Sequence, residues 1–453
     1  MTNRLALLLA LSLAWAIPTR AAEPRRPNIL VVLADDVGWN EFGFRGKQDI
    51  PTPRIDSIAR EGVRFTQWYV SGPYCSPTRA GFLTGRYQTR FGHENNRVPA
   101  VSGLPLTETT IADRLRTLGY ATNAIGKWHL GSKPEFRPTR RGFDEFFGTL
   151  ANTPYYHPTQ FVDSRESADP HPVADDDFYT TDRYAARAVD WLERVKDKPW
   201  FLYLPFNAQH APLQAPKKYL DRFPEIADPT RKSFAACMSA MDDAVGAVLD
   251  KVHALGQDED TLVVFFSDNG GPTRQTTSSN LPLRGFKATT WEGGVRVPAC
   301  LRWKGTIPAG QTYENPVIQL DILPTALAAA GATIDPAWKL DGVDLKPYLT
   351  GQNTGKPHET LYWRFGQQWA IRKGDWKLVV ANGGGGKPEL YNLAEDLSEK
   401  TDLAASRPEK LRELRDDYDR WNAEQAAPLA PMEAPGGGAA AKKKAARKKA
   451  AAP

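Results

Sequence analysis

Short apolar runs alternate with longer amphipathic stretches along most of the chain. The run NILVVLADD ends in two carboxylates, and PWFLYLPFNAQH and TLVVFFSDNGG likewise end in polar residues. Such runs are typical of strands buried on both faces of a sheet. The stretches TPRIDSIAREGVRF, TETTIADRLRTLGY and FAACMSAMDDAVGAVLDKVHALG have the composition of helices packed against such a sheet. Strands that alternate with helices predict an α/β fold with a doubly wound, mostly parallel central sheet flanked by helices.

Capping residues predict where some of these helices begin and end. In TETTIADRLRTLGY, Thr107 is a candidate N-cap and Gly119 a candidate C-cap. Gly62 is expected to close the helix in TPRIDSIAREGVRF.

The pattern changes near Asp341. The stretch ETLYWRFGQQWAIRKGDWKLVV alternates apolar and polar residues, and PEKLRELRDDYDRWNAE follows as a helical segment. This predicts a smaller C-terminal α+β subdomain over residues 341–425, an antiparallel sheet plus one helix, after a main α/β domain over residues 23–340. Residues 426–453 are rich in Ala, Pro, Gly and Lys, which predicts a disordered basic tail.

The N-terminus has the features of a signal peptide. Arg4 precedes an apolar run from Leu5 to Ile17, and small residues at Ala21 and Ala22 offer a cleavage site, so residues 1–22 are the predicted signal peptide. The run is shorter than the roughly 20 residues of a membrane-spanning helix. We therefore expect an exported protein, periplasmic or extracellular, with no membrane span.

Net charge and cysteine count narrow the classes of function. The formal charge is +5, but six positive charges lie in the tail and two in the predicted signal peptide. The remaining body is slightly acidic, so a nucleic-acid partner is not indicated. The three cysteines, Cys75, Cys237 and Cys300, allow at most one internal disulfide and leave one thiol over.

Polar residues follow four of the apolar runs. They are Asp35 and Asp36; Lys127 and His129; His210; and Asp268 and Asn269. Ligands of open α/β sheets bind beyond the carboxyl ends of the strands, so these residues predict one shared site. Each acidic pair taken alone would also serve as a helix cap. Together they favour a hard cation such as calcium or magnesium over zinc.

Several further side chains are candidates for the same site. His129 and His210 are candidate proton-transfer groups, and Arg79, Lys127 and Lys287 are cations suited to an anionic ligand. His93 is a further residue that would line the pocket, without an assigned role.

With these residues identified, the chain resembles the type I, formylglycine-dependent sulfatases, which are arylsulfatase-like members of the alkaline-phosphatase-like superfamily. The most specific motif is CSPTRAGFLTG, which fits the family core Cys-x-Pro-Ser/Thr-Arg followed by Leu-Thr-Gly. Further similarity lies in NILVVLADDVGW, GYATNAIGKWHLG, SDNGG and LRGFKATTWEGGVRVP. The similarity extends over about residues 27–421.

The resemblance implies a set of roles for named residues. One calcium ion would be held by Asp35, Asp36, Asp268, Asn269 and the modified Cys75. A formylglycine-generating maturation enzyme would convert Cys75 to 3-oxoalanine, reading Cys75, Pro77 and Arg79. Arg79 and Lys127 would then hold this group, His129 would act on its hydroxyl, and His210 and Lys287 would face the sulfate and the leaving group.

The implied reaction is hydrolysis of a sulfate ester to an alcohol and inorganic sulfate by the hydrated formylglycine, on a sulfated small molecule or glycan. One alternative is a phosphoester or phosphonate hydrolase with the same fold, because both substrates are tetrahedral anions. Another alternative is a non-catalytic protein that binds sulfated glycans, which would retain a thiol at Cys75.

Overall fold

The structure, a computed structural model, describes residues 26–46, 49–381 and 386–431. The predicted signal peptide and residues 432–453 of the predicted tail lie outside these residues. Within the described part of the chain, none of the helices combines the length and the apolar character needed to cross a membrane.

The described residues form a nine-stranded sheet, a two-stranded sheet and a four-stranded sheet. The strands, numbered along the chain, are β1 (Asn28–Ala34), β2 (Val63–Phe65), β3 (Trp68–Tyr69), β4 (Ala121–Lys127), β5 (Glu145–Thr149), β6 (Phe161–Asp163), β7 (Trp200–Pro205), β8 (Thr261–Ser267), β9 (Ala299–Arg302), β10 (Gln311–Tyr313), β11 (Val317–Ile318), β12 (Thr360–Phe365), β13 (Gln368–Lys373), β14 (Trp376–Val380) and β15 (Glu389–Asn392).

Helices connect and cover these strands. The α-helices are α1 (Pro53–Arg60), α2 (Cys75–Thr84), α3 (Val98–Val101), α4 (Ile111–Thr117), α5 (Thr180–Val195), α6 (Lys217–Leu220), α7 (Pro229–Ala254), α8 (Thr273–Thr276), α9 (Glu292–Val295), α10 (Ile322–Ala329), α11 (Lys346–Leu349) and α12 (Pro408–Ala423). Short 3₁₀ helices cover Gly43–Arg45, Gln88–Phe91, Pro134–Phe136, Pro138–Arg140, Gln319–Asp321 and Pro336–Trp338.

The nine-stranded sheet has the order β10-β2-β9-β8-β1-β7-β4-β5-β6. The five central strands β8, β1, β7, β4 and β5 are parallel, whereas β6 and β9 run antiparallel to their neighbours. The carboxyl ends of the parallel strands therefore share one edge of the sheet. This arrangement confirms the predicted doubly wound, mostly parallel α/β fold.

Both faces of this sheet are covered, which explains the continuous apolar runs in the sequence. Along β1, Leu30 and Val32 point into one core that includes residues of α5 and α7. Ile29 and Val31 point into a second core that includes residues of α2, α4 and α10. Every residue of β1 is buried, and the six that follow Asn28 are apolar, so the acidic side chains begin only where the strand ends.

One of the predicted helix boundaries is wrong. The N-cap of α4 is Thr110 rather than Thr107, because Thr110 and Asp113 form a capping box in which each side chain accepts from the other residue's main-chain N–H. Helix α1 ends at Arg60, with Glu61 as its C-cap and Gly62 directly after it. Gly119 does follow α4 in a left-handed conformation, with φ of 84°.

The predicted C-terminal sheet is present as β12-β13-β14-β15, which is antiparallel throughout, and α12 packs against it. A buried ion cluster joins this sheet to the main body. The Lys377 Nζ on β14 lies 2.9 Å from Glu292 Oε1 on α9 and 3.0 Å from Glu399 Oε1, and all three side chains are fully buried. The Glu292 main-chain N–H donates to Glu399 Oε2 (2.8 Å).

The last described residues, 426–431, fall within the predicted disordered tail, but several of them contact the body. The main-chain N–H of Ala426 donates to the Thr89 carbonyl (3.0 Å), and that of Leu429 donates to the Gly92 carbonyl (2.9 Å). The Asn95 amide donates to the Ala430 carbonyl (2.9 Å). We call residues 426–430 the C-terminal strap.

Substitution of Lys377 by Met should destabilise the protein strongly. The change leaves Glu292 and Glu399 buried without their ammonium partner, which costs about 3–5 kcal/mol for a buried pair. The loss should appear as a lower midpoint of urea unfolding followed by tryptophan fluorescence. The matched control is Lys217→Met, which breaks an exposed pair with Asp221 and should cost about 1 kcal/mol or less. Equal effects of the two changes would contradict a stabilising role for the buried cluster.

Candidate active site

The residues predicted for one site do meet at the carboxyl edge of the sheet. Asp35 and Asp36 follow β1, Lys127 ends β4, and Asp268 and Asn269 follow β8. Each of these side chains is buried. The site therefore depends on contacts among charged groups that exclude bulk water.

Cys75 reaches this edge because it begins helix α2, which is buried along its whole length. Small residues allow this close packing: a Cβ at Gly81 would lie 2.5 Å from the Ser71 hydroxyl oxygen. The helix ends at Gly85, whose φ of 66° is readily adopted by glycine. One turn after Cys75, the Arg79 side chain extends from the same helix into the cluster of carboxylates.

Arg79 links two of the carboxylates. Its Nη2 donates to Asp268 Oδ2 (2.8 Å) and to Asp35 Oδ2 (3.3 Å), and its Nη1 donates to the Lys127 carbonyl (2.7 Å). The Lys127 ammonium forms a second, very close ion pair with Asp35. Both cations are fully buried, as are the carboxylates that they contact. Each ion pair therefore compensates charges that are removed from water.

These contacts separate the acidities of the two carboxyl groups. Burial would raise the pKa of Asp35, but Lys127 and Arg79 outweigh it and hold the pKa well below its usual range. Burial and the nearby charge of Asp35 raise the pKa of Asp268 to about 6, against the opposing effect of Arg79. Additional positive charge near Asp268 would therefore favour its ionised form.

Asp36 is the centre of a second group of contacts. It adopts a left-handed conformation (φ 65°), and its carboxylate accepts from Lys287 Nζ (2.7 Å) and from Asn269 Nδ2 (2.8 Å). His210 Nε2 lies 3.8 Å from Asp36 Oδ2. Burial would lower the pKa of Lys287, but Asp36 and other nearby acidic groups keep it well above its usual value. Lys287 is therefore a permanent cation at the site.

The Cys75 thiol lies against both aspartates. Its Sγ is 3.4 Å from Asp35 Oδ1 and 3.9 Å from Asp36 Oδ1. Burial, together with the charges of Asp268 and Asp35, raises the pKa of the thiol well above its usual value. Thiolates are the nucleophilic form of cysteine, so the unmodified side chain is poorly suited to attack.

The donor atoms fit a divalent cation. Ligand atoms of Asp35, Asp36, Cys75 and Asp268 all lie within 4.8 Å of one another. The side-chain oxygen of Asn269 is buried beside them and has no hydrogen-bond partner among the described residues. Several carboxylate oxygens with an amide oxygen match the preference of calcium and magnesium. The donor atoms that these residues bring together therefore fit a divalent cation better than either acidic pair would alone.

The two predicted histidines are neutral at this edge. Burial and the nearby cations Lys127 and Arg79 lower the pKa of His129 well below its usual value. Burial and Lys287 lower the pKa of His210 to about 4. The Nδ1 of His210 lies 2.7 Å from the Ala211 carbonyl, which can only accept, so Nδ1 carries the proton and Nε2 is free to accept one.

The C-terminal sheet supplies contacts that sequence reasoning did not identify. Gln368 on β13 donates to the carbonyl of Ala288 (2.9 Å), which follows Lys287 in the chain. The Lys287 Nζ lies 5.2 Å from the centre of the Tyr74 ring, and this ring packs on Phe365 at the end of β12. Tyr74 immediately precedes Cys75 in the sequence, and this position could have indicated that its ring lies at the site.

All three cysteines are buried free thiols, so Cys237 and Cys300 are not joined in the structure. Burial raises the pKa of both thiols. Of the three, only Cys75 lies among the carboxylates and cations of the site.

Comparison with known proteins gives a consistent family. A family model described as Sulfatase matches residues 27–332. Arylsulfatase G of Rattus norvegicus is 33% identical over 448 residues, covering 85% of this chain and 84% of that protein. N-acetylgalactosamine-6-sulfatase of Canis lupus familiaris is 34% identical over 398 residues, covering 82% of this chain and 74% of that protein.

A solved structure shows that the similarity extends to the fold. The crystal structure of Ps i-CgsB in complex with k-i-k-neocarrahexaose matches with a TM-score of 0.82 and 32% sequence identity. The match covers 91% of this chain and 96% of that chain. Because the family model spans more than half of the sequence and the relatives match along most of it, the chain belongs to the sulfatase family and is a sulfuric ester hydrolase.

Proposed function

We propose that this chain hydrolyses sulfate esters of carbohydrates, using a formylglycine made from Cys75 and one calcium ion beside it. The observation that carries the proposal is the position of Cys75, whose buried Sγ lies within 4 Å of two aspartate oxygens. A buried, protonated thiol is a poor nucleophile, so a side chain at this position needs a different reactive group to attack a substrate.

The charge balance of the site supports an anionic substrate. Three carboxylates, Asp35, Asp36 and Asp268, are offset by the cations Arg79, Lys127 and Lys287. Calcium held by these carboxylates, Asn269 and the modified residue 75 would make the site net positive. A buried, positively charged site binds a sulfate ester and stabilises the charge that develops on its oxygens.

When present, formylglycine would supply a hydrated aldehyde with a nucleophilic hydroxyl, and calcium would supply positive charge beside it. Arg79 and Lys127, which already pair with the neighbouring carboxylates, would hold the modified residue 75 from the helix and from β4. Neutral His129 is available to take a proton from its hydroxyl. His210 and Lys287, on the partly open side of the site, face the sulfate and the leaving oxygen.

The substrate class is proposed from the relatives. One relative is named for N-acetylgalactosamine 6-sulfate hydrolysis, and one solved structure holds a neocarrahexaose. We therefore propose a sulfated glycan or a sulfated small carbohydrate as the substrate. From the predicted signal peptide we further propose that the enzyme acts in the periplasm or outside the cell, with a formylglycine-generating enzyme as its partner during maturation.

The wild-type enzyme should cleave an aryl sulfate in preference to the matching aryl phosphate at equal concentration, as followed by release of the phenol. Substitution Cys75→Ala should lower kcat for the sulfate by about 10⁴-fold or more, because the nucleophile is lost. Cys237→Ala is the matched control, since that thiol is buried outside the site, and it should keep wild-type kcat. Preference for the phosphate ester would contradict the proposed reaction.

Mass spectrometry of the peptide that contains Cys75 should show replacement of the thiol by an aldehyde in protein made with a formylglycine-generating enzyme. The Cys75→Ala protein provides the peptide that cannot be modified. The peptide that contains Cys300 should retain its thiol and serves as the internal control. An intact thiol at position 75 in catalytically active protein would refute the formylglycine mechanism.

Chelation should abolish activity, and calcium should restore it. Calcium at 100 times its dissociation constant should raise the free energy of unfolding by about 2.7 kcal/mol, because it binds only the folded site. The rise in melting temperature should disappear in Asp268→Asn and persist in Asp419→Asn, which alters an exposed acid on α12. A calcium response that survives Asp268→Asn would place the ion elsewhere.

A further inference from the structure

The residue after Cys75 makes two contacts that the reaction as proposed does not use. Ser76 is fully buried in the first turn of α2. Its hydroxyl oxygen lies 2.9 Å from the His129 carbonyl and 2.5 Å from His93 Nε2. A single hydroxyl therefore joins the helix of Cys75 to two histidines from different loops.

The positions of the protons in these two hydrogen bonds follow from which groups can donate and which can only accept. A carbonyl only accepts, so Ser76 donates its one proton to His129. The short contact with His93 then requires the proton to be on His93 Nε2, which donates to the Ser76 oxygen. If Ser76 donated to His93 instead, the Ser76 and His129 oxygens would lie 2.9 Å apart with no proton between them. Burial also lowers the pKa of His93 to about 3, so the ring carries one proton.

The backbone of His129 is held in an uncommon conformation. Its φ is 61°, a left-handed value that residues other than glycine rarely adopt. The His129 main-chain N–H donates to the Leu150 carbonyl (3.1 Å), and its own carbonyl accepts from Ser76. The two hydrogen bonds fix the peptide groups on either side of the Cα, and hence the direction in which the imidazole leaves the chain.

His93 is itself held rigidly from several sides. Its main-chain N–H donates to the Gln88 carbonyl (2.9 Å). The neighbouring Glu94 accepts from the Arg364 guanidinium on β12 (3.1 Å), and the C-terminal strap is hydrogen-bonded to both Gly92 and Asn95. The Asn96 side-chain oxygen accepts from the Ser76 main-chain N–H (2.9 Å). The loop that carries His93 is therefore a fixed support for the first turn of α2.

We propose that His93 and Ser76 form a hydrogen-bond chain, His93 Nε2–H to Ser76 Oγ–H to the His129 carbonyl, that positions His129 for its proton transfer. His93 is a positioning residue in this chain, since it contacts neither the reacting group nor the substrate. The proposal rests on the role of His129 under the proposed function. The hydrogen bonds themselves do not depend on that role, so they are tested separately.

Determining the tautomer of His93 tests the proposed hydrogen-bond chain directly. In ¹⁵N-histidine-labelled protein, His93 should show a protonated Nε2 and a bare Nδ1 near neutral pH, with assignment from the His93→Gln spectrum. The Ser76→Ala protein should lose the strong hydrogen-bond shift of the Nε2 proton. A proton on Nδ1 in the wild-type protein would overturn the proposal, whether or not the enzyme hydrolyses sulfate esters.

Kinetic measurements then test whether the hydrogen-bond chain positions His129. In His93→Leu, kcat for an aryl sulfate should fall by about 100-fold with little change in KM, because a displaced catalytic group mainly affects the chemical step. His93→Gln can still donate a proton to Ser76 and should recover most of the loss. Rates are compared per mole of formylglycine, measured by mass spectrometry, because Ser76 and His93 lie near the modified residue.

A matched control separates positioning from stability. His358→Gln alters a partly buried histidine, which pairs with Asp321 (2.8 Å) outside the site, and should lower stability while keeping kcat. Wild-type kcat in His93→Leu, with an active wild-type enzyme, would overturn the positioning role and leave the proposed function intact. An inactive wild-type enzyme that contains formylglycine and calcium would instead refute the proposed function.

Discussion

Three carboxylates buried at one edge of a sheet require positive charges buried equally deeply, and this requirement determines much of the structure around them. Arg79 meets it for two of the acids at once, and it does so from the helix that Cys75 begins. Lys127 and Lys287 supply the remaining charge from β4 and from the loop before α9. The helix, the strand ends and the loop are therefore held together by the groups that would serve the reaction.

The smaller sheet contributes to the same site rather than forming a separate unit. Its β14 is joined to the main body by the buried Lys377, and Gln368 on β13 supports the main chain beside Lys287. A change in the packing of this sheet would shift a cation that is paired with Asp36. The C-terminal part of the sequence therefore affects the electrostatics of residues more than 200 positions earlier.

The sequence predicted the fold and the grouping of strand-end residues because both follow from short-range pattern and parallel topology. Features set by tertiary contact were less accessible. The choice of Thr110 over Thr107 as a helix cap depended on the reciprocal bonds with Asp113. The contact between Ser76 and His93 joins residues 17 positions apart through a loop whose path depends on packing. His93 and the motif that contains Ser76 could both be recognised in the sequence, but the hydrogen bond between them could not be predicted.

The C-terminal strap is synthesised late, and its contacts therefore form after most of the protein has been made. The segment from Asp35 to Lys287 leaves the ribosome well before residues 426–430, yet the strap is hydrogen-bonded to the loop that carries His93. The main sheet can form while the chain is still growing, since domains generally fold as they emerge. The loop beside Cys75 acquires its last contacts only at the end of translation, so the candidate active site is completed later than the sheet on which it is built.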